Sequence, residues 1–422
     1  MTRQLEVWLL GVHTGTLSQI EGRLSFAYAP GANTALSHSL PIRSEPFDDR
    51  ASRPFFAGLL PEGGKRKLIA KTLQVSTQND YALLESLGGE CAGAVTLLSA
   101  DQSPPAPDGQ LMVRWLDPQQ LLQVLDEMPL RPMRAGEDGL RLSLAGAQDK
   151  LPVVLDTQVS RMGLPMNGSP STHILKPPIT GVDGSVFNEA FCMALAGSLK
   201  LDVARTQIQT AAHGAQQRHY LLVERYDRQP GVPSQRLHQE DFCQALGIVS
   251  EHKYQNEGGP GLTQAFALLR SATRPSAPQT LKLLDYVVFN ALIGNHDAHG
   301  KNFSLLYTSA GIKLAPLYDA LCTAVYPQLT EKMAMKIGSK YKFSEAMARH
   351  WEQFATEAAL SPGLVKKRTL DIAKRLPSLA HTTKDTFQRQ GNVHPIIDQI
   401  VTLIDQRCAL IISRLTAPRG DT

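Results

Sequence analysis

The hydrophobic pattern of the chain changes near residue 280. Upstream, short apolar runs such as 4–11 and 23–30 are separated by Gly, Asn and Pro, a pattern typical of strands joined by turns. Downstream, the run LKLLDYVVFNALIG at 281–294 and the closing segment at 394–415 carry apolar residues at helical spacing. A chain with strands first and helices later is predicted to have an α+β fold.

Three segments are expected. With 422 residues the chain exceeds a single core, which favours two or three domains. We expect an N-terminal α/β subdomain over 1–105, a β-rich region with the first helices over 106–280, and an all-helical C-terminal lobe over 281–422. The Pro-rich stretch 99–110 is interpreted as a linker or a long surface loop. Apolar residues spaced by three and four between 187 and 195 predict a helix with one buried face.

The composition is that of an ordinary globular protein: 42% hydrophobic, 19% charged and 6% aromatic. The net charge of +4 permits an acidic partner without arguing for one. Five widely spread cysteines without a C-x-x-C pair favour buried thiols in a reducing compartment. The N-terminus has no pattern of a signal peptide, and no apolar run is long enough to span a membrane, so a cytoplasmic protein without membrane contact is expected.

The polar loop after the run 281–294 holds the first chemical signal. Asp297 and Asn302 have the D-x-x-x-x-N spacing of the protein-kinase catalytic loop, in which the carboxylate accepts a hydroxyl proton and the amide binds a metal. Asp319 follows a strand-like stretch and is a candidate ligand for Mg²⁺ on the nucleotide phosphates. The alternatives are a loop that caps a buried helix and an aspartate that caps the next one.

Three upstream features fit the same chemistry. Lys176 ends the strand-like THILK and resembles the strand lysine that binds ATP phosphates, with Glu189 as a candidate carboxylate partner. The small-residue turn at 145–150 is a candidate phosphate loop, although it has one glycine rather than three. The strand end at 224–226 lies where a kinase has its adenine hinge. A solvated lysine, an ordinary turn and a surface ion pair remain the alternatives.

The order of these features supports the kinase interpretation. The turn, the strand lysine, the hinge, the D-x-x-x-x-N loop and the metal aspartate follow one another as they do in kinases. Phosphoryl transfer requires an aligned nucleophile and neutralised phosphate charge, which these residue types supply. The loop at 297–302 is therefore best interpreted as catalytic.

Several longer stretches resemble the HipA family of bacterial serine/threonine kinase toxins. They are SLAGAQDKLPV, STHILKPP, NEAFCMALA, LLVERYDR, RLHQEDFCQALG, KYQNEGGPGL, LIGNHDAHGKNFSLL and LAPLYDALCT, with FFAGLLPEG and GGECAGAVTLL in the N-terminal part. The resemblance covers nearly the whole chain. It implies a kinase-like fold related to lipid kinases and an activity that requires ATP and Mg²⁺.

The resemblance also implies a role for each matching position. Asp297 would be the catalytic base, and Asn302 and Asp319 would hold Mg²⁺. The residues of the ATP site would be Ala145, Gly146, Ala147, Gln148, Asp149, Lys150, Lys176, Glu224, Arg225, Tyr226, His299, Gly300, Lys301, Asn302, Tyr318 and Asp319.

Regulation and partners are further implications of the resemblance. Ser143 matches a serine that the family autophosphorylates, and the added negative charge should expel the adjacent turn. The alternative is that Ser143 is an unmodified strand residue. The family implies a HipB-like helix-turn-helix antitoxin, operator DNA bound by the complex, and an aminoacyl-tRNA synthetase as the protein substrate. Lys340 and Lys342, with Lys332 and Lys336, match a region that touches DNA, although a solvated lysine face explains them equally well.

Three other functions are weighed against a kinase toxin. The first is a co-repressor that keeps the kinase fold and acts by contacting the antitoxin and DNA. The second is a kinase for a lipid or another small molecule, which the same motifs allow. The third is a metallohydrolase built on His296, Asp297 and His299, which is disfavoured because no further cluster completes a zinc site.

Overall fold

The computed structural model describes residues 3–104, 111–156, 158–159, 161–229 and 232–417, with the side chains of 232–234 excepted. The chain forms two compact units. The first unit comprises Met1–Pro177, Gln209–Glu251 and Leu306–Ser309, and the second comprises Pro178–Ile208, His252–Leu305 and Ala310–Thr422. The expected segment limit at 105–106, in the second half of the proposed linker, lies outside the described residues.

The first unit begins with an antiparallel sheet of order β3-β2-β1-β4. Its strands are β1 (Arg3–Leu9), β2 (Val12–Ile20), β3 (Arg23–Tyr28) and β4 (Val95–Leu98). Two-residue turns with positive φ, Leu10-Gly11 and Glu21-Gly22, join the first three strands, and such turns produce hairpins. These tight turns leave no room for the crossovers that parallel strands require, so the expected N-terminal α/β subdomain contains an antiparallel sheet.

Three helices complete this part of the first unit: α1 (Asp49–Gly58), α2 (Gly63–Thr72) and α3 (Asp80–Leu87). Asp48 caps α1 by accepting a hydrogen bond from the backbone N–H of Ala51. Phe55 and Phe56 of α1 are fully buried in the same core as the inner face of the sheet. The stretch FFAGLLPEGGKRKLIAK predicts helices around its Pro-Glu-Gly-Gly break, and α1 and α2 confirm this prediction.

A second sheet of the first unit has the order β5-β7-β6-β8-β10-β9. Its strands are β5 (Val113–Trp115), β6 (Leu151–Asp156), β7 (Arg161–Pro165), β8 (His173–Lys176), β9 (Thr206–His213) and β10 (Gln216–Glu224). Helix α4 (Pro118–Glu127) follows β5, and the unit also contains β11 (Arg228–Gln229), β12 (Val232–Arg236), β13 (His238–Asp241) and the short helix α6 (Phe242–Ala245). The sequence stretches KLPVVLD, THILKP and YLLVERYD predict strands at 150–156, 172–177 and 220–227, and β6, β8 and β10 confirm them in outline.

The second unit is built mainly of helices. They are α5 (Ser185–Ser198), α7 (Leu262–Ala272), α8 (Ser276–Ile293), α9 (Ala348–Glu357), α10 (Pro362–Arg389) and α11 (Pro395–Thr416). The long helix α10 packs against α5, α8, α9 and α11. The predicted helix at 187–195 is confirmed as α5, and the expected limit at residue 280 falls inside α8. Among the described residues, no helix is long and apolar enough to cross a bilayer.

The C-terminal region is not all-helical, and that expectation was wrong. It also contains β14 (Ser304–Thr308), β15 (Gly311–Leu314), β16 (Lys332–Ile337) and β17 (Lys340–Lys342). Strands β16 and β17 pair antiparallel around Gly338, whose φ of +55° suits a tight turn. In β16, Met333, Met335 and Ile337 are buried at a spacing of two, which is a strand period rather than a helical one.

All five cysteines are buried. They are Cys91, Cys192, Cys243, Cys322 and Cys408. Burial raises the pKa of the Cys91 and Cys322 thiols to about 12, so both are neutral at physiological pH. The expectation of buried thiols is confirmed.

Candidate active site

The loop that contains Asp297 directly follows helix α8. The helix ends at Ile293, and Gly294 follows in the left-handed region at φ +75°. The next residue, Asn295, is tied back to the helix because its backbone N–H and its side-chain amide donate to the Asn290 carbonyl and side chain, each at 2.9 Å. Arg407 of α11 donates two hydrogen bonds to the Ala291 carbonyl, at 2.7 and 3.0 Å. The loop therefore starts from a fixed helix end.

The loop 297–302 is closed by its own backbone. The N–H of His299 lies 2.8 Å from the carbonyl oxygen of Asp297 and 3.1 Å from Oδ1 of Asn302. The N–H of Asn302 in turn donates to the His299 carbonyl at 2.9 Å. Asn302 is buried, whereas Asp297 is exposed. This arrangement leaves the Asp297 carboxylate exposed to solvent and holds the Asn302 amide in the interior.

Asp319 lies beside this loop. Nδ2 of Asn302 donates to Oδ2 of Asp319 at 3.1 Å. The preceding residue, Tyr318, places its hydroxyl 2.7 Å from the carbonyl oxygen of Lys301 and 2.7 Å from Oγ of Ser304. Asp319 has a φ of +59°, a strained conformation for a residue other than glycine, and such strain often occurs at functional sites. Asp319 does not cap a helix, because the next helical turn begins at Thr323 after Cys322.

Asn188 of α5 fixes the chain that follows Asp319. Its fully buried side chain donates to the Cys322 carbonyl at 2.9 Å and accepts from the Cys322 N–H at 2.8 Å. The side-chain amide of Asn188 thereby satisfies both the backbone carbonyl and the backbone N–H of Cys322. Sequence reasoning singled out the adjacent Glu189, which is also buried on α5, and assigned no role to Asn188.

Tyr254 is the second residue that sequence reasoning missed. Its hydroxyl donates to Oδ1 of Asp297 at 2.7 Å, and its ring meets the His299 ring edge-on with centroids 5.1 Å apart. The residue lies in the KYQNEGGPGL stretch that carries part of the family resemblance. A tyrosine 43 positions upstream of its partner gives no local pattern from which the contact could be predicted.

The histidines do not form a metal cluster with Asp297. Nδ1 of His296 lies 3.0 Å from the carbonyl oxygen of Thr330, so this ring bonds the backbone. Burial lowers the pKa of His296, and the positive charge of Arg407 lowers it further. Within the described ranges no group of three or more His, Cys, Asp or Glu could hold a metal ion. This geometry gives no support to the metallohydrolase alternative.

The oxygen-bearing pair Asn302 and Asp319 suits a hard divalent cation. Carboxylate and amide oxygens are ligands that Mg²⁺ accepts, and Mg²⁺ typically takes one or two carboxylates from the protein together with substrate phosphates. The two side chains already lie within hydrogen-bond distance of each other. The residues present therefore fit a magnesium ion.

The candidate phosphate turn of the first unit is well anchored. The Gly146 carbonyl accepts from the N–H of Glu62 at 3.1 Å, and Gly146 has a φ of +112° that favours glycine. Nζ of Lys150 donates to the Ala145 carbonyl at 2.7 Å, and Nζ of Lys65 donates to Asp149 at 2.7 Å. Ala147 at the tip is exposed, and Gln148 is half-buried.

Ser143 is fully buried just before this turn. Its Oγ donates to the Leu59 carbonyl at 2.8 Å, and its N–H donates to the Glu90 carbonyl at 2.9 Å. It does not belong to a strand of the second sheet. A phosphate on this oxygen has no room in the present position, so modification requires that the segment moves.

Lys176 ends β8 opposite Leu221 of β10. It is 6% exposed, which makes the solvated lysine of the alternative interpretation untenable. Lysine is seldom fully buried, and a buried lysine often lies at a functional position.

The proposed hinge ends in a buried ionic cluster of the first unit. Arg225 contacts both oxygens of Glu90 at 3.1 Å and Oδ2 of Asp227 at 2.6 Å, while Arg228 contacts Glu90 and Asp227. Burial alone would raise the pKa of Asp227, but Arg225 and Arg228 outweigh it and lower that pKa. The Arg225 guanidinium is therefore committed to this cluster. Glu224 is exposed at the end of β10, and the Tyr226 hydroxyl bonds Gln239.

The lysines proposed to touch DNA lie on the β16–β17 hairpin. Lys342 pairs with Glu331 at 2.9 Å and Lys340 with Glu345 at 3.4 Å; both lysines are half-buried and both glutamates are exposed. Lys332 is exposed as well, whereas Lys336 is half-buried. Ion pairs that are open to solvent on one side are weak and break readily when a phosphate competes.

Known proteins are similar to the chain over most of its length. The model of the HipA-like C-terminal domain matches residues 142–380, and that of the HipA N-terminal domain matches residues 5–98. A putative kinase, Y4mE, of Sinorhizobium fredii is 45% identical over 94% of this chain and 97% of its own length. The serine/threonine-protein kinase toxin HipA of Shewanella oneidensis is 29% identical over 81% of this chain and 79% of its own length.

A solved structure is similar over nearly the full length of the chain. It is the complex of HipA, HipB and operator DNA of the Shewanella oneidensis toxin–antitoxin system, with a TM-score of 0.81, 25% identity and coverage of 97% of this chain and 98% of that one. Fold and relatives together define an enzyme of the kinase class. The chain belongs to the HipA family of serine/threonine-protein kinase toxins.

Proposed function

We propose that the chain is the toxin of a type II toxin–antitoxin module and transfers the γ-phosphate of Mg-ATP to serine or threonine. The observation that carries this proposal is that hydrogen bonds of one loop connect Asp297, Asn302 and Asp319. The His299 N–H lies within reach of the Asp297 carbonyl and the Asn302 amide oxygen, and Asn302 bonds Asp319. This is the set of groups that phosphoryl transfer needs, within a chain of the HipA family.

In the proposed reaction the exposed Asp297 carboxylate accepts the proton of the substrate hydroxyl. The hydroxyl oxygen attacks the γ-phosphorus, the bond from that phosphorus to the bridging oxygen breaks, and ADP leaves. Asn302 and Asp319 would hold Mg²⁺, which neutralises phosphate charge when bound. In the first unit, Lys176, the turn 145–150 and the backbone at 224–226 are proposed to bind ATP. In the second unit, His299, Gly300, Lys301 and Tyr318 shape the loop.

Ser143 is proposed as the site of inactivating autophosphorylation. Its hydroxyl is buried and bonded to Leu59, so the phosphorylated side chain cannot return to its present place. A phosphate adds about two negative charges and would keep the adjacent turn out of position. Because the turn begins two residues later, phosphate binding by the turn would be lost with it.

The partners are proposed from the relatives. The Shewanella HipA is solved with HipB and operator DNA, and a similar antitoxin with its operator is proposed for this chain. Lys340 and Lys342 are the candidate DNA contacts. The protein substrate is proposed to be an aminoacyl-tRNA synthetase, so that its modification would stop translation.

Transfer of labelled γ-phosphate tests the proposal. The purified chain is incubated with labelled ATP and Mg²⁺, alone and with bacterial extract, and labelled residues are mapped by mass spectrometry. We expect Asp297→Asn to lower transfer by roughly 10²-fold or more, because a positioned general base contributes about that much. Asp371→Asn, an exposed aspartate on α10, is the matched control. Ser143→Ala should lose the label on the chain and keep the label on its target.

Equal labelling by the wild-type protein and Asp297→Asn would contradict the proposal. The alternative function is a co-repressor, which the operator DNA in the relative's complex favours. Two results together would support the co-repressor instead. The wild-type chain would transfer no phosphate, and Asp319→Asn with the antitoxin would bind operator DNA as tightly as the wild-type chain does.

A further inference from the structure

The loop 252–259, which follows the first unit's last long segment, holds the catalytic loop at three points. The Tyr254 hydroxyl donates to Oδ1 of Asp297 at 2.7 Å, and the Tyr254 ring packs edge-on against the His299 ring. The backbone adds a third contact, because the Lys253 carbonyl accepts from the N–H of Gly300 at 3.3 Å. All these residues belong to the second unit.

The loop 252–259 is rigid enough to act as a support. The Tyr254 carbonyl accepts hydrogen bonds from the N–H groups of Glu257 at 3.0 Å and Gly259 at 2.9 Å. Nδ1 of His252 lies 2.7 Å from the Glu257 carbonyl oxygen. The chain closes so tightly that a Cβ on Gly259 would lie 2.1 Å from the His252 carbonyl oxygen. The loop is therefore fixed independently of the group that Tyr254 contacts.

A strand of the same unit supports the two loops together. The N–H of Lys336 on β16 donates to Oε1 of Gln255 at 2.9 Å, and the N–H of Ala334 donates to the His296 carbonyl at 2.7 Å. Gln255, which follows Tyr254, and His296, which precedes Asp297, are thus hydrogen-bonded to two residues of one strand that lie two positions apart. This arrangement sets the distance between the tyrosine and the carboxylate.

We propose that Tyr254 is a positioning residue for phosphate transfer, which holds the Asp297 carboxylate in the orientation that receives the substrate proton. The inference rests on the proposed role of Asp297 as the base. An exposed aspartate turns about two side-chain bonds, and a hydrogen bond to one oxygen selects one orientation. General-base catalysis depends on that orientation, because small displacements of a reacting group cost large factors in rate.

A purely structural role for Tyr254 predicts a different outcome. If the hydroxyl only stabilised the loops, its removal would lower the melting temperature and weaken nucleotide binding along with the rate. If it positions the carboxylate, its removal lowers the rate constant of transfer and leaves the other two quantities unchanged. The ring remains in Tyr254→Phe, so the packing against His299 is kept in both cases.

The experiment compares the wild-type chain with Tyr254→Phe in full-length protein. Phosphate transfer from labelled ATP at saturating Mg-ATP gives kcat, a fluorescent ATP analogue gives nucleotide affinity, and thermal unfolding gives Tm. We expect kcat to fall by about tenfold or more, with affinity and Tm unchanged. Tyr341→Phe, another half-buried tyrosine of the second unit, is the matched control and should leave kcat unchanged.

An unchanged kcat in Tyr254→Phe overturns the inference, and so does a loss of kcat that is matched by losses in affinity or Tm. Asp297→Asn is measured in parallel to separate this inference from the proposed function. If Asp297→Asn transfers phosphate at the wild-type rate, the assignment of the base has failed. If Asp297→Asn is inactive and Tyr254→Phe is fully active, only the role of Tyr254 has failed.

Discussion

Glu90 and Glu240 are both buried in the first unit, but only Glu90 lies beside arginines. Glu90 contacts Arg225 and Arg228, and its burial is compensated because these charges lower its pKa. Glu240 instead accepts hydrogen bonds from Ser37 Oγ, from the His38 N–H at 2.9 Å and from the Tyr307 hydroxyl at 2.5 Å. Burial raises the pKa of Glu240 to about 7, and these hydrogen bonds limit the rise.

Glu240 should make stability depend on pH. Its pKa in the folded chain lies above the ordinary value of 4.5, so the folded state binds more protons than the unfolded state between about pH 4.5 and 7. Its contribution to stability is therefore complete below pH 4.5 and is lost as the pH rises through 7. The loss should be on the order of 2–4 kcal/mol, since one pKa unit corresponds to about 1.4 kcal/mol.

Glu240→Gln tests this prediction because an amide does not titrate. As the pH rises from 5 to 8, we expect the Tm of the wild-type chain to fall relative to the Tm of Glu240→Gln. The exposed Glu21→Gln serves as the matched substitution for comparison. A difference in Tm for Glu240→Gln that stays constant over this range would contradict the assignment.

At the scale of elements, the end of α8 is the feature on which the site depends. Gly294 stops the helix at φ +75°, and its carbonyl accepts from the N–H of Ala324 at 3.0 Å and from Thr323 Oγ1 at 3.2 Å. A Cβ at this position would lie 2.7 Å from the Ala324 side chain and 3.1 Å from that of Leu403. The glycine is required both for its backbone conformation and for the close approach of the chain after Asp319.

Gly294→Ala should therefore destabilise the protein and reduce phosphate transfer together. We expect a loss of roughly 2–4 kcal/mol, the sum of a strained φ and a clash that moves the segment 323–324. Gly391→Ala is the matched control, because Gly391 has φ +78° and open space around its Cβ position. Thermal unfolding of both variants should show the larger loss at 294. Equal losses would mean that the clash is absorbed without cost.

Elements were predictable where the pattern is local. The three-and-four spacing at 187–195 predicted α5, and the apolar run 281–294 predicted α8. The hairpin β16–β17 was missed because this lysine-rich segment was interpreted by its charge. The strand pattern lies in the buried Met333 and Met335, which alternate with the lysines and the alanine of β16. The strands of the N-terminal sheet were predicted but their antiparallel pairing was not, because the turn residues were used to mark strand ends and not to choose the connection.

At the scale of the whole molecule, the order of the motifs along the chain led to the kinase interpretation, and the family match agrees with it. The supports of the site could not be predicted in the same way. Asn188 reaches Cys322 across 134 positions, and Arg225 reaches Glu90 across 135. Such contacts depend on tertiary packing, which a single sequence does not encode as a local pattern.

The central claim is that Asn302 and Asp319 hold the metal of a nucleotide bound at the Asp297 loop. A crystal structure with Mn²⁺ and a non-hydrolysable ATP analogue tests this claim most directly, since the anomalous signal of Mn²⁺ locates the ion. We predict one ion peak in contact with side-chain oxygens of Asp319 and Asn302 and with the nucleotide phosphates. A bound nucleotide whose ion lies away from both side chains would contradict the account.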